Sequence, residues 1–326
     1  MTMEEYENRL EPELLAFIAE THRWFPPQVA KLDLADQRTI YAEMCRHFRA
    51  PQPENVTSHD IGLDVTDHIL LARHYQREGP AAAAVILYFH GGGFMFGDLD
   101  SHGDICADLC AGTGFDVLSV DYRLAPEHRH PAAFDDACAA FDWLAATTDQ
   151  RIILSGESAG GNLAAAVAAA RRDHPHAAVG QMLFYPSLGG DRRGTSYRRH
   201  TKAPLLTVAD LDFYDGIRGG ARDRSDSTRD PLANSDFSRL PSTVIFTAEC
   251  DPLSSDGEAY RNALLAAGGK AAWVEGKDLV HSFLRARHLS PRAGQFFSEI
   301  LAASAALGAG RWPYGRQTAS SALAAR

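Results

Sequence analysis

The chain has 326 residues, 45% of them hydrophobic, which is enough to bury a large core in an α/β protein of one main domain with an elaboration. Acidic residues outnumber Lys and Arg by 42 to 32, a formal charge of −10, so the basic surface that phosphate-backbone binding needs is missing and nucleic acid is not an expected partner. The longest apolar run, 81–89, is far short of a bilayer span, and the N-terminus "MTMEEYENRL" carries acids where a secretory leader carries positive charge, so a cytoplasmic protein without a membrane partner is expected.

In chain order, residues 1–54 read as helices ("PELLAFIAETHRWF", "DQRTIYAEMCRHF") before any strand. Apolar runs that read as strands follow at 69–74, 83–89, 115–120, 152–154, 178–184, 243–247 and 271–274, most of them separated by alanine-rich stretches with helical spacing. That alternation predicts a mostly parallel sheet with helices on both faces. Pro131 suits the first turn of a helix running to about residue 146, and "SSDGEAYRNALLAAGG" reads as a helix closed by a glycine pair. The five cysteines contain no CxxC, and Cys106 and Cys110, four apart in a predicted helix, read as buried free thiols rather than zinc ligands. The expected organisation is N-terminal cap helices over 1–54, core over 55–188, a polar cap insertion over 189–236, core again over 237–308, and a tail over 309–326.

After the strand "RIILS" comes "GESAGG", 156–161, and then the helix-forming "NLAAAVAAARR". A G-x-S-x-G between strand and helix is a turn so tight that its flanks tolerate little beyond glycine, and it lifts the serine hydroxyl into the open; Ser158 is the candidate nucleophile. A serine hydroxyl needs a base to take its proton, and the base needs a third group to fix its tautomer. In a sheet of this type such groups sit beyond the C-terminal ends of strands, in the order serine, acid, histidine. Asp251, after "STVIFTA", and His281, after "AAWVEG", stand in that order, with Glu249, Asp256 and Asp278 as rivals for the acid. The triplet in "LYFHGGGFMFGD" supplies backbone N–H groups unshielded by a Cβ, suited to an oxyanion; Gly92, Gly93 and Ala159 are the candidate donors.

The set "HGGGF" (90–94), "DYRLAPEHRHPAAFDD" (121–136), "GESAGG" (156–161), "DPL" (251–253) and "HSF" (281–283) resembles the hormone-sensitive-lipase-like family of bacterial α/β-hydrolase esterases, close to its acetyl esterases, over roughly residues 55–305. The resemblance implies an α/β-hydrolase fold under a helical cap, the triad Ser158, Asp251 and His281, and the oxyanion hole named above. Glu157 stands where many relatives carry Asp, and Ser282 where Gly or Ala is common; neither departure removes a catalytic group. The implied function is a carboxylesterase, without metal or cofactor, that hydrolyses small short-chain esters through an acyl-enzyme and works as a monomer or homodimer. The alternatives are an amidase or arylacylamidase with the same triad, and a non-catalytic small-ligand receptor on the same fold. Within "DYRLAPEH", Arg123 and Glu127 read as a buried ion pair or brace. Phe94, Leu205, Leu206 and Phe213 are candidates for the acyl pocket, although a stripe at helical spacing reads equally well as cap core. The basic cluster Arg192, Arg193, Arg198, Arg199, His200 and Lys202 reads as a solvated loop.

Overall fold

Strand residues that alternate between two buried faces require cover on both sides, and the chain builds a three-layer α/β/α arrangement that supplies it. The computed structural model describes residues 1–65, 68–219 and 225–315. Its strands are β1 (Val56–Asp64), β2 (Ile69–Arg77), β3 (Ala84–Phe89), β4 (Asp116–Val120), β5 (Arg151–Glu157), β6 (Gly180–Phe184), β7 (Ser242–Cys250) and β8 (Ala271–Val280), in the spatial order β1-β2-β4-β3-β5-β6-β7-β8. β2 pairs antiparallel with β1 and β4, and the remaining pairs are parallel. The helices are α1 (Met3–Glu7), α2 (Pro12–Trp24), α3 (Leu34–Phe48), α4 (Gly103–Thr113), α5 (Ala132–Thr147), α6 (Ala159–Ala170), α7 (Thr195–Arg199), α8 (Val208–Arg218), α9 (Ser254–Ala266) and α10 (Pro291–Gly308).

The period of two along β3 sorts its side chains between two cores. Ala84, Ile86 and Tyr88 pack in one cluster with Ile105 and Leu109 of α4 and Ile300 and Leu307 of α10. Val85, Leu87 and Phe89 pack in the other with Phe141 of α5, Leu163 and Val167 of α6 and Leu264 of α9. Burial on both faces is why these strands read as continuous apolar runs rather than alternating ones. Cys106 and Cys110 lie in the first of these cores as free thiols.

Sequence pattern missed one strand. β1, "VTSHDIGLD", buries only Val56 and Leu63 and lies at the sheet edge, so it has neither an apolar run nor a clean alternation; its register comes from the antiparallel ladder with β2. The expected pairing of Arg123 with Glu127 is also corrected. Arg123 binds the buried Asp136 of α5 at 2.7 Å, and Glu127 receives Nη1 and Nη2 of Arg38 from α3 at 2.8 and 2.9 Å. Each residue serves a different contact because the loop between them runs from the sheet to the N-terminal helices. No helix among the described residues is long and apolar enough to cross a membrane. Of the expected cap insertion, 220–224 lie outside the described residues, as do 316–326 of the expected tail.

The basic cluster divides. Arg193 pairs with Asp191 at the surface, whereas His200 is buried, with Nδ1 2.7 Å from the Tyr6 hydroxyl. Burial and the neighbouring Arg199 push the His200 pKa down to about 4. A histidine that titrates near 6.5 when unfolded and near 4 when folded binds fewer protons in the native state across that window, so its contribution is whole above pH 6.5 and fades as pH falls toward 4. The thermal-midpoint advantage of wild type over His200→Gln, measured by circular dichroism, is therefore expected to shrink as pH falls from about 6.5 to about 4. An advantage that stays level or grows would show that His200 is not held neutral.

Candidate active site

Ser158 sits between the end of β5 and the start of α6 with φ 53° and ψ −114°, a conformation a serine adopts only under constraint. The constraint is a close backbone approach: a Cβ on Gly160 would lie 1.9 Å from the Phe89 carbonyl oxygen, so α6 presses directly on the end of β3. The Ser158 N–H donates to the Phe184 carbonyl at 2.9 Å, and its own carbonyl accepts from Asn162 at 3.1 Å and Ser187 at 3.2 Å. The turn is thus pinned by β6, by the first turn of α6 and by the loop after β6.

Two other strand ends deliver the remaining groups. His281 follows β8 directly, and Asp251 follows β7. His281 Nε2 lies 3.0 Å from Ser158 Oγ, and its Nδ1 lies 2.6 Å from Asp251 Oδ2. Asp251 is fully buried, and its other oxygen accepts from the Leu253 N–H at 2.8 Å. An ionised carboxylate only accepts, so Nδ1 carries the ring proton and Nε2 is left to accept from the serine hydroxyl.

The rivals for the acid are engaged elsewhere. Glu249 and Asp278 both bind Arg9 of the N-terminal segment. Asp256 lies in α9 and accepts from Leu188 N, Gly190 N and the Tyr197 hydroxyl at 2.9, 3.1 and 2.8 Å; burial pushes its pKa up to about 6. It anchors the start of the 189–236 segment.

The N–H groups of Gly92 and Gly93 have no acceptor among the described residues, and Ala159 opens α6, where helix geometry leaves its N–H without an intrahelical partner. Gly93, at φ +62°, has no room for a side chain, since a Cβ would lie 2.6 Å from the Tyr214 ring of α8. The loop is braced from behind: the His90 ring stacks on Tyr122 at 4.2 Å, and Arg38 Nε donates to the Met95 carbonyl at 3.0 Å. All three of these backbone groups line one cavity of about 720 Å³ with Ser158 and His281.

Phe94, Leu205, Leu206 and Phe213 line the same cavity. Leu206 also packs with Tyr197, Leu211 and Leu253, so its side chain serves both the pocket wall and the packing of this segment on the start of α9. Phe213 is 44% exposed and sits toward solvent. Phe17, Phe25 and Tyr41 from the N-terminal helices and the turn after α2 add to the apolar lining.

Sequence reasoning passed over Tyr185. Its ring meets His281 edge to face at 4.7 Å, and its hydroxyl donates to Glu157, which also accepts from Tyr88 at 2.6 Å. The one available signal was its position directly after β6, at the same C-terminal end of the parallel strands as the other strand-end groups. Among the described residues, no group of three or more His, Cys, Asp or Glu is arranged to hold a metal ion.

Comparison with known proteins agrees with this architecture. The chain matches the family profile described as the alpha/beta hydrolase fold over residues 86–285. It is 34% identical over 292 residues to the carboxylic ester hydrolase LipN of Mycobacterium tuberculosis, covering 83% of this chain and 76% of that one. With the ethyl acetate hydrolase of Pseudomonas putida it shares 35% identity over 251 residues, 73% of this chain and 78% of the other. Among solved structures, an ester hydrolase from the metagenome of Lake Arreo, complexed with a bipyridine phosphonate derivative, superposes with a TM-score of 0.84 at 30% identity, over 92% of this chain and 99% of that one.

Proposed function

The chain belongs to the α/β hydrolases, in their hormone-sensitive-lipase-like branch, and is a carboxylic ester hydrolase; from that premise we propose that it cleaves small short-chain esters by a Ser-His-Asp acyl-enzyme mechanism. The observation that carries this reading is the hydrogen-bonded chain Ser158 Oγ, His281 Nε2, His281 Nδ1, Asp251 Oδ2, opening on a cavity whose wall carries backbone N–H groups without an acceptor among the described residues. Ser158 Oγ attacks the ester carbonyl while His281 Nε2 takes its proton. The carbonyl oxygen gains charge and is held by the N–H groups of Gly92, Gly93 and Ala159, which need no reorganisation to meet it. His281 then protonates the departing alkoxide, and water, activated by the same nitrogen, releases the acid from Ser158. Asp251 keeps the ring in the required tautomer throughout.

The N-terminal helices and the described residues of 189–236 act as a cap that limits the acyl chain. Each methylene that fits gains roughly 0.8 kcal/mol of burial, so kcat/KM is expected to rise from acetyl to butyryl. Past the cavity floor, overpacking costs about 1–3 kcal/mol per misfit and the trend reverses. A p-nitrophenyl ester series is expected to peak between two and about six acyl carbons, rising by about fourfold per methylene that fits and falling by about 5- to 150-fold per methylene past the floor. A preference for twelve or more carbons would overturn the cap as a limit on chain length.

A further inference from the structure

Arg218, the last residue of α8, is 4% exposed and lines the cavity that holds Ser158. Its guanidinium lies over the Phe94 ring, 3.7 Å from the centroid. Nη1 donates to the Arg229 carbonyl at 2.9 Å and Nη2 to Asn162 Oδ1 at 3.2 Å. Both partners are neutral. The Asn162 amide is itself fixed, because its Nδ2 donates to the Ser187 and Arg229 carbonyls at 2.7 and 2.8 Å, so its oxygen has to face Arg218.

The nearby carboxylates do not pair directly with this group. Asp230, which also lines the cavity, and Asp215 act on the guanidinium through space, but among the described residues no carboxylate comes within ion-pair distance of it, and Asp215 is bound by Arg192 at 2.7 Å and approached by Arg229 at 3.9 Å. Burial and the adjacent Arg229 push its pKa down to about 9, which still leaves it charged at neutral pH. A buried cation whose hydrogen bonds go only to neutral acceptors is costly unless a closer charge meets it. The cavity is the open side on which a ligand can do so.

We propose that Arg218 is an anion-recognising subsite, and that the esters this enzyme prefers carry a carboxylate at the far end of the acyl group, as in half-esters of short dicarboxylic acids. The inference rests on the ester-hydrolase reading and narrows its substrate class. The acyl side is favoured because Phe94, on which the guanidinium stacks, directly follows the glycines that receive the acyl carbonyl. Asn162, which accepts from Arg218 Nη2, lies four residues, about 6 Å of helical rise, beyond Ser158, and this nearness along the chain favours a short acyl group. Planar, fork-like donors suit a carboxylate better than a point charge does.

The test compares kcat/KM for mono-p-nitrophenyl glutarate and p-nitrophenyl butyrate in wild type, Arg218→Gln and Arg218→Lys at neutral pH. The ratio of anionic to neutral ester is expected to fall about 10- to 100-fold in Arg218→Gln, the range of a hydrogen bond to a charged group, and by less in Arg218→Lys. A second measurement uses wild type alone: glutarate is expected to inhibit butyrate ester hydrolysis competitively, and glutaramide to do so at least tenfold more weakly, as expected for a charge-assisted contact of about this strength. Equal loss of both esters in Arg218→Gln, or equal inhibition by glutarate and glutaramide, would overturn the subsite while butyrate turnover leaves the ester-hydrolase reading standing. Failure of wild type to cleave either ester would overturn both.

Discussion

Replacing Ser158 by Ala is expected to lower kcat by about a millionfold, the loss seen when a serine hydrolase is stripped of its nucleophile. The fold is expected to survive. Ser158 Oγ points at His281 rather than into either core, so its removal opens no cavity among packed side chains. The strained φ of 53° is imposed by the backbone contacts of the elbow, above all the approach of Gly160 to Phe89, and these do not involve the hydroxyl. Steady-state turnover of p-nitrophenyl butyrate, read beside the thermal midpoint of the same preparation, decides the matter. A fall of tenfold or less with an unchanged midpoint would remove Ser158 from the mechanism. A large fall with an unchanged midpoint is the expected result.

Asp251→Asn is expected to lower kcat by about ten-thousandfold at neutral pH. An Asn at this position keeps an oxygen for the Leu253 N–H, which Asp251 now receives at 2.8 Å, and so turns its NH₂ toward His281 Nδ1. Facing a donor, Nδ1 has to accept, and the ring proton moves to Nε2, 3.0 Å from Ser158 Oγ. A nitrogen that carries a proton cannot take one from the serine. The shape of the side chain is preserved, so the loss reflects the tautomer rather than the packing. Asp251→Asn and Ser158→Ala should also fail to add: once the nucleophile is gone, the double variant is expected to be no slower than Ser158→Ala alone. A single variant within tenfold of wild type would mean that another group orients His281.

The parts of this protein legible in its sequence are those governed by short-range physics. Burial on both faces writes itself into β3, β5 and β7 as apolar runs, and the alanine-rich spacing of α5 and α6 writes itself as a period near 3.6. The tight turn around Ser158 is legible because only glycine lets Gly160 touch Phe89, and the bare N–H groups near position 92 are legible because they demand a run without Cβ atoms. β1 left little trace, because an edge strand with two buried side chains takes its conformation from β2 rather than from its own pattern.

What the tertiary structure alone decided are the contacts between segments distant along the chain. The Ser158 to His281 hydrogen bond joins residues 123 positions apart, and although strand-end position and the DPL motif favour Asp251, the occupation of its rivals Glu249 and Asp278 by Arg9 is visible only in three dimensions. Arg123 and Glu127 look like partners by proximity, yet Asp136 and Arg38 reach them first. Tyr185 against His281 and Arg218 over Phe94 arise where loops from different layers converge on one cavity. Periodicity and turn chemistry constrain each element by itself, whereas the identity of a side chain's partner depends on how elements dock, a quantity summed over the whole core and carried by no single stretch of sequence.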